Sequence, residues 1–213
     1  MIAVLAGGTG LVGGECLRLL LEEPRYQRVL ALTRRPLTVH HKLAQTAADF
    51  PDLAGLSPEI AGGDVFCCLG TTIGKAGSPE AFRRVDRDFP VALARKCAAL
   101  GARRFLLVSS LGADPDSRLL YSRVKGECER DVAALPFEAV VLLRPALLLG
   151  RRAESRPAEA FAQAVLPALS SALVGPLRRY RPVEASAVAR AMLRLAGEAL
   201  SGVRVVESDE LLS

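Results

Sequence analysis

A tyrosine and a lysine four positions apart, Tyr121 and Lys125, follow a strand-like run that ends in Ser109 and Ser110. Residues four apart on a helix share one face, so the phenol and the ammonium are expected to lie side by side. The ammonium favours the phenolate over the phenol, and such a tyrosine can exchange a proton with a carbonyl or alcohol oxygen. We therefore predict that Tyr121 and Lys125 are catalytic and that a serine hydroxyl holds the reacting oxygen.

The two serines end a strand at the edge where doubly wound sheets bind their ligands. Because successive side chains of a strand point to opposite faces, the pattern predicts that only one of Ser109 and Ser110 faces the cleft. The spacing does not decide between them, and Ser109, the earlier of the two, is the one we predict as catalytic. The helix that carries Tyr121 and Lys125 is expected to pack through the apolar stripe Val124, Cys128, Val132 and Leu135.

Residues 2–6 are apolar and of strand type, and glycines follow at positions 7, 8, 10 and 13, before an amphipathic segment. This order predicts a strand, a tight turn and a helix whose first amides bind the pyrophosphate of a dinucleotide. One glycine permits the turn, one lets the backbone approach the pyrophosphate, and one lets helix and strand pack closely. Two registers fit, one starting at Gly7 and one at Gly8. The residues predicted to contact the dinucleotide are Gly7, Thr9, Gly10, Leu11, Val12 and Gly13.

The second predicted strand is followed by Arg34 and Arg35, and no Asp or Glu occurs between Glu23 and Asp49. Proteins of this type that bind NAD carry an acidic residue here for the ribose hydroxyls, and a carboxylate would repel a 2′-phosphate. Guanidinium groups bind such a phosphate through charge-assisted hydrogen bonds, so we predict NADP(H) with Arg34 and Arg35 as the clamp. The alternative is two solvated arginines. Asp49 fits a contact to the adenine amino group, or is a turn residue.

Strand-like apolar runs alternate with helix-like segments along the chain. The predicted strands lie near 2–6, 28–33, 44–50, 64–69, 103–109, 138–144 and 203–207, and the helices near 11–22, 79–100, 118–135, 157–172 and 184–199. Continuous apolar strands indicate a parallel sheet covered on both faces. The fold class is therefore α/β, a doubly wound, mostly parallel, Rossmann-like sheet. We predict one domain, 1–213, with a cofactor-binding core over about 1–145 and a small C-terminal substrate-side lobe over about 146–213.

The 213 residues carry a net charge of +5, with a pI of ≈ 9.2. Basic residues are spread along the chain without interleaved aromatics, so we expect no nucleic-acid partner. No apolar run reaches about 18 residues, so we expect no membrane span and a cytoplasmic location. Cys67 and Cys68 are adjacent in a strand and should point to opposite faces. Apolar settings without metal-ligand spacing predict reduced core cysteines and no metal site, for Cys16, Cys67, Cys68, Cys97 and Cys128.

Further runs at 66–72, 74–77, 84–88, 121–127 and 154–157 carry a resemblance to a known family. With the glycine turn, they make the chain resemble the short-chain dehydrogenase/reductase superfamily, and within it the atypical branch typified by the Tat-interacting protein oxidoreductases. The resemblance implies an NADPH-binding Rossmann-like fold with Tyr121 as proton donor or acceptor and Lys125 in support. It also implies that Leu69, Gly70 and Thr71 line the cofactor and that Arg156 reaches it.

The chain departs from the superfamily at one informative position. Extended members often carry Val-Asn where this sequence has Val85 and Asp86. If the asparagine serves a proton relay, that relay is missing or altered here. For Gly70 the residues agree with the resemblance, since a glycine at a strand end allows close backbone approach.

The expected function is an NADPH-dependent oxidoreductase that acts on a small carbonyl or alcohol. A regulatory or sensor protein that binds NADPH without turnover is the alternative, favoured by Asp86 and by the short C-terminal segment. A sugar-nucleotide epimerase is less favoured because such enzymes need a longer C-terminal lobe. A protein partner or a homodimer remains open, as does the role of the basic stretch 178–181.

Overall fold

The computed structural model describes residues 1–47, 53–149 and 175–212. The strands are β1 Ile2–Ala6, β2 Arg28–Thr33, β3 Leu43–Ala47, β4 Asp64–Cys67, β5 Arg104–Val108, β6 Ala139–Arg144, β7 Leu148–Leu149, β8 Val183–Glu184 and β9 Gly202–Glu207. The α-helices are α1 Leu11–Glu22, α2 Ile73–Ala76, α3 Pro79–Arg83, α4 Phe89–Ala99, α5 Leu120–Ala133 and α6 Ala185–Gly197. Short 3₁₀ turns occur at Pro58–Ile60, Gly175–Tyr180 and Glu210–Leu212.

Seven strands form one sheet in the order β3-β2-β1-β4-β5-β6-β9, and every neighbouring pair is parallel. The chain builds outward from β1 to β3 and then crosses back to β4, so the strand order reverses between β1 and β4. A ligand crevice is expected at the carboxyl ends of strands at such a reversal. The predicted doubly wound, Rossmann-like fold is confirmed. Strands β7 and β8 form a separate parallel pair.

Helices cover both faces of the sheet, as continuous apolar strands require. On one face α1 and α6 pack together through side chains such as Leu20 and Met192. On the other, α4 and α5 contribute Leu93 and Val132. The predicted alternation of the paired cysteines is confirmed, because Cys67 lies in the α4–α5 layer and Cys68 packs against the α1–α6 layer. No helix in the described part of the chain is long and apolar enough to cross a membrane.

The helix predicted over 79–100 is divided by a π-helical turn, Arg84–Asp88, between α3 and α4. In this turn the Phe89 amide donates to the Arg84 carbonyl, five residues back. The following residue, Pro90, has no amide hydrogen, so the α-helical bond to the Asp86 carbonyl cannot form. The turn places Asp86 inside the protein with 1% of its surface exposed. The spacing of apolar residues does not predict the π-helical turn, because it carries no information about which backbone carbonyls lack an amide donor.

Other predicted strands and helices differ from the observed ones by a few residues at their ends, or lie outside the described ranges. The strand predicted at 44–50 is seen as β3 over Leu43–Ala47, and residues 48–52 are outside the described chain. The helix predicted at 157–172 is outside it as well. The division into a core of about 1–145 and a C-terminal lobe of about 146–213 therefore stays a prediction.

A buried polar cluster lies at the amino-terminal edge of the sheet, opposite the crevice. The Tyr26 hydroxyl donates to Asp64 Oδ2 at 2.7 Å, and the Arg104 guanidinium lies 3.7 Å from Asp64 Oδ1. Arg104 also donates to the Ala196 carbonyl. Burial raises the pKa of both Asp64 and Tyr26. The cluster joins β4, β5 and α6 through polar contacts between residues far apart in sequence.

Gly126 sets the position of α5 against the loop that follows β5. A Cβ built on Gly126 would lie 2.2 Å from the carbonyl carbon of Asp114 and from the nitrogen of Pro115. The loop backbone therefore crosses α5 at a separation that only glycine permits. Lys125 is the preceding residue, so this close contact lies next to the face of α5 that carries Tyr121 and Lys125.

We predict that Gly126→Ala lowers the free energy of unfolding by about 1–3 kcal/mol, because the methyl group must push the loop backbone away. The matched control is Gly74→Ala in α2, where an added Cβ meets no atom within 4 Å. That change should raise the free energy of unfolding by up to about 1 kcal/mol through helix propensity. Urea denaturation of both variants measures the difference, and equal stabilities would contradict the close contact at Gly126.

Candidate functional site

The turn between β1 and α1 uses the register that begins at Gly7. Gly7 has a φ of +87°, and a Cβ there would lie 2.4 Å from the Cys68 carbonyl oxygen. The Gly10 amide donates to the Gly7 carbonyl at 2.9 Å, and a Cβ on Gly13 would lie 2.0 Å from the same oxygen. An added Cβ on Gly8 meets only side-chain carbons, the nearest at 3.3 Å. Backbone contacts thus require glycine at 7 and 13 and not at 8.

The first turn of α1 leaves amide groups open towards the crevice. Gly10 is the N-cap and provides no side-chain acceptor, and the Gly14 amide makes the first α-helical bond, to the Gly10 carbonyl at 2.8 Å. The amides of Leu11, Val12 and Gly13 precede it and have no carbonyl within the helix to bind. No acidic residue lies in this turn. With exposed Thr9 beside it, the turn fits an anionic phosphate group.

Arg34 and Arg35 follow β2 at the same edge of the sheet, and both are exposed. Their backbone is held by Thr33, whose hydroxyl accepts from the Arg35 amide at 3.2 Å and donates to the Arg35 carbonyl at 2.6 Å. Neither guanidinium forms a hydrogen bond or an ion pair with any residue in the described ranges. Both are available to an external anion. Asp49, the predicted adenine contact, lies outside the described residues.

Ser109 and Ser110 follow β5, and 5% and 7% of their surfaces are exposed. The Ser109 amide donates to the Leu143 carbonyl at 2.7 Å, which aligns this segment with β6. Each hydroxyl is buried without a hydrogen-bond partner in the described part of the chain. Buried hydroxyls normally have a partner, so two orphaned ones beside the crevice suit a site that binds a polar ligand atom. The choice of Ser109 over Ser110 stays a prediction.

Tyr121 and Lys125 lie one turn apart on α5, as the spacing predicts. The Tyr121 ring stacks on Phe82 of α3, with centroids 5.5 Å apart and planes inclined by 25°. Tyr121 retains 36% of its surface exposed, whereas Lys125 retains only 5%. The phenol is therefore positioned by an aromatic contact and open to solvent, while the lysine beneath it is inside the protein.

Asp86 binds Lys125 from the π-helical turn. Its Oδ1 lies 2.9 Å from Lys125 Nζ, and its Oδ2 accepts the Thr71 amide at 2.8 Å. A Cβ built on Gly70 would lie 3.4 Å from Asp86 Oδ1 and 3.6 Å from Lys125 Nζ. One carboxylate thus joins the lysine to the segment containing Leu69, Gly70 and Thr71, which the resemblance assigns to the cofactor.

From the sequence, Asp86 is recognisable only as a departure from a family pattern, and its place in the site is not predicted. A signal was present: Asp86 lies four residues after Phe82 and three before Phe89, so on a helix it shares a face with two aromatic residues. A carboxylate at a buried helical position needs a partner. That partner could not be identified from spacing, because Lys125 is 39 residues further along the chain.

Lys125 stays charged despite its burial. Burial lowers the pKa of its ammonium, but the nearby negative charge of Asp86 and the interaction with Tyr121 raise it, and the outcome is a pKa above the ordinary lysine value. A protonated lysine beside the phenol is the arrangement that stabilises a phenolate. The positive charge of Lys125 therefore lies on the face of α5 that also carries Tyr121.

The described residues fit a nicotinamide dinucleotide at three places: open amides at the α1 N-terminus, unpaired guanidinium groups after β2, and orphaned hydroxyls after β5. These three groups all follow carboxyl ends of parallel strands. Arg156, which the resemblance assigns to the cofactor, lies outside the described residues.

Comparison with curated proteins shows relatives over most or all of the chain. It is 41% identical to protein HTATIP2 of Rattus norvegicus over 160 residues, which cover 73% of this chain and 66% of the relative. It is 35% identical over 223 residues to the mitochondrial protein FMP52 of Eremothecium gossypii, covering 100% of this chain and 96% of the relative. No family model matches. The prediction of a cytoplasmic location is wrong by this comparison, because the fungal relatives are named as mitochondrial proteins.

Comparison with solved structures supports the fold. MoeE5 bound to UDP-glucuronic acid and NAD superimposes with a TM-score of 0.70 at 20% identity, covering 96% of this chain and 75% of that one. UDP-glucuronic acid 4-epimerase from Bacillus cereus, bound to UDP-glucuronic acid and NAD, gives 0.71 at 14% identity, covering 97% and 77%. At such identities the likeness shows the Rossmann-like architecture alone.

We predict that Ser109→Ala and Ser110→Ala change the free energy of unfolding by less than about 1 kcal/mol, because neither hydroxyl has a hydrogen-bond partner among the described residues. The control is Ser208→Ala, since the buried Ser208 hydroxyl accepts from the Ala146 amide and donates to the Arg181 carbonyl, both at 3.1 Å. That variant should lose about 1–3 kcal/mol. Thermal and urea unfolding compare the three. A loss at 109 or 110 as large as at 208 would assign that hydroxyl to the fold.

Proposed function

Because this chain belongs to the family of the HTATIP2 and FMP52 proteins, atypical members of the short-chain dehydrogenases/reductases, we propose that it is an NADPH-dependent oxidoreductase acting on a small carbonyl or alcohol. The observation that carries the proposal is the charged, buried Lys125 beneath Tyr121 at the carboxyl edge of the sheet. A stacked but exposed phenol next to a buried ammonium is an arrangement suited to proton transfer.

The residues that would hold the dinucleotide lie along the crevice. The turn with Gly7, Gly10 and Gly13, and the amides of Leu11 and Val12, would bind the pyrophosphate through backbone donors. Thr9 would lie beside it. The segment at 69–71 would contact the nicotinamide half, as would Tyr121 and Lys125. The nicotinamide, when bound, supplies hydride to the substrate carbon or accepts hydride from it.

The preference for NADPH over NADH is proposed on the charges after β2. Arg34 and Arg35 are exposed, unpaired within the described chain, and directly follow β2 at the carboxyl edge of the sheet, which supports the proposal that they bind a 2′-phosphate. A guanidinium fork matches phosphate oxygens in charge and geometry. Asp49 is proposed for the adenine amino group and Arg156 for a further contact to the cofactor, both on sequence grounds.

In the direction of reduction, Tyr121 would donate its phenolic proton to the carbonyl oxygen as the substrate carbon receives hydride. The hydroxyl of Ser109 would hold that oxygen by a hydrogen bond. Lys125 would favour the phenolate that remains, since its ammonium is fixed nearby and shielded from water. Phe82 would keep the phenol ring oriented through its stacking contact.

A regulatory protein that binds NADPH without turnover is the second candidate. The observation that favours it is that Lys125 is already paired with Asp86. A partner carboxylate weakens the influence of the ammonium on the phenol, so the chemistry could be slow while binding is kept. Turnover that depends on Tyr121 separates the two functions.

We predict that replacing both Arg34 and Arg35 by Ala weakens NADPH binding by about tenfold or more, because charge-assisted hydrogen bonds to the 2′-phosphate are lost. The affinity for NADH should change little. Calorimetric titration with both dinucleotides measures the ratio. Arg28→Ala is the control, since Arg28 begins β2 and pairs with Glu59 at 2.6 Å. An equal loss for NADH and NADPH would contradict the clamp, and a wild type that binds no NADPH would contradict the function.

We predict that Tyr121→Phe reduces turnover of small aldehydes and ketones by about 10² or more, because the proton donor is removed. The Kd for NADPH should stay within about twofold of the wild type, since the ring and its stacking on Phe82 are kept. NADPH consumption across a carbonyl panel provides the rates. Ser122→Ala, which removes the neighbouring hydroxyl on α5, is the control. NADPH binding without Tyr121-dependent turnover would favour the regulatory alternative.

A further inference from the structure

Both carboxylate oxygens of Asp86 face hydrogen-bond donors. Oδ1 faces the Lys125 ammonium at 2.9 Å and Oδ2 faces the Thr71 amide at 2.8 Å. A carboxylate can serve two donors because both of its oxygens accept, whereas an amide of the same shape has one oxygen and one NH₂. With asparagine at position 86, the side-chain NH₂ would face either the Lys125 ammonium or the Thr71 amide, and two hydrogen-bond donors would then oppose each other. The surroundings of this position specify an aspartate.

The backbone around Asp86 is adapted to admit this one side chain. The π-helical turn Arg84–Asp88 turns it inward, and Pro90 leaves its carbonyl without an α-helical donor. Gly70 carries no side chain at the point where a Cβ would lie 3.4 Å from Asp86 Oδ1. π-Helical turns of this kind occur frequently at functional sites.

Building on the proposed function, we propose that Asp86 is the positioning residue of the site, clamping the Lys125 ammonium and the Thr71 amide together so that the lysine and the cofactor-lining segment are held as one unit. Asp86 itself exchanges no proton with the substrate. It acts through Lys125, by keeping the ammonium charged and in place beneath Tyr121.

The charge of Lys125 depends on Asp86 more than on any other neighbour. Tyr121 and Cys128 act on it from α5, and Cys67 from β4. Burial raises the pKa of the Cys67 thiol to about 12 and also raises the pKa of the Cys128 thiol, so both thiols are uncharged at neutral pH. Burial lowers the pKa of Lys125 itself. Without the Asp86 carboxylate, this desolvation is opposed by no fixed negative charge.

The test is Asp86→Asn, with Asp88→Asn as the matched control. Asp88 lies in the same turn but is exposed and pairs with Arg87 at 2.8 Å. The chain contains only four lysines, Lys42, Lys75, Lys96 and Lys125, so ¹³Cε-lysine NMR of the protein without dinucleotide resolves few signals, and Lys125→Arg identifies that of Lys125.

In the wild type, the Lys125 signal is expected to titrate above the ordinary lysine value. In Asp86→Asn its midpoint is expected to move to lower pH, and the Thr71 amide resonance is expected to shift. Asp88→Asn should change neither signal. An unchanged Lys125 midpoint in Asp86→Asn would overturn the proposal. If that variant does not fold, a wild-type Lys125 that titrates below the ordinary value would overturn it as well.

Kinetics separate this proposal from the proposed function. Asp86→Asn is expected to lower kcat by about tenfold or more with a smaller change in KM, because orientation at the reacting centre is lost rather than binding. Asp88→Asn should keep the wild-type kcat. If the wild-type protein shows no turnover, the proposed oxidoreductase function is contradicted. The NMR comparison would still test whether Asp86 keeps Lys125 charged and in place. Turnover that is equal in both variants would remove the positioning role alone.

Discussion

The buried pair of Asp86 and Lys125 is the interaction on which the site depends. Moving two charges out of water costs several kcal/mol per ion, and their mutual attraction offsets this only if the remaining hydrogen-bond capacity is also used. Here the second oxygen of the carboxylate accepts the Thr71 amide. Removing either partner would leave an uncompensated charge inside the protein, so each residue makes the other necessary. The pair holds α5, the π-helical turn and the end of β4 in one arrangement.

Close backbone contacts bring these elements near enough for the pair to form. Gly7 and Gly13 let β1, α1 and the Cys68 carbonyl meet at distances that exclude any side chain, and Gly126 does the same for α5 and the loop at Asp114. The interior of the protein is closely packed, so a displacement at one of these glycines must move whole elements. These backbone contacts thus fix the relative positions of the elements that form the crevice.

The two buried polar clusters at opposite edges of the sheet differ in what surrounds them. At the amino-terminal edge, Asp64 is joined to Tyr26 and Arg104, and burial raises its pKa. At the carboxyl edge, Asp86 faces a lysine that is kept charged, and open amides, unpaired guanidinium groups and orphaned hydroxyls lie along the same edge. The groups at the second edge lie along the crevice where the strand order reverses, whereas Asp64 and Arg104 at the first edge are buried and form an ion pair with each other. That asymmetry is typical of doubly wound folds, which bind ligands at the carboxyl ends of their strands.

The order of strands and helices, the glycine turn and the shared face of Tyr121 and Lys125 could all be predicted from the sequence. Each depends on a local signal: apolar runs of strand length, glycines directly after a strand, and a separation of four residues on a helix. The choice of Gly7 over Gly8 and the partner of Lys125 were decided by tertiary structure. The first rests on the approach of β4 and the second on residues 39 positions apart. Local periodicity reports which face of an element is apolar, but it carries no information about which distant backbone or charge will meet that face when the chain folds.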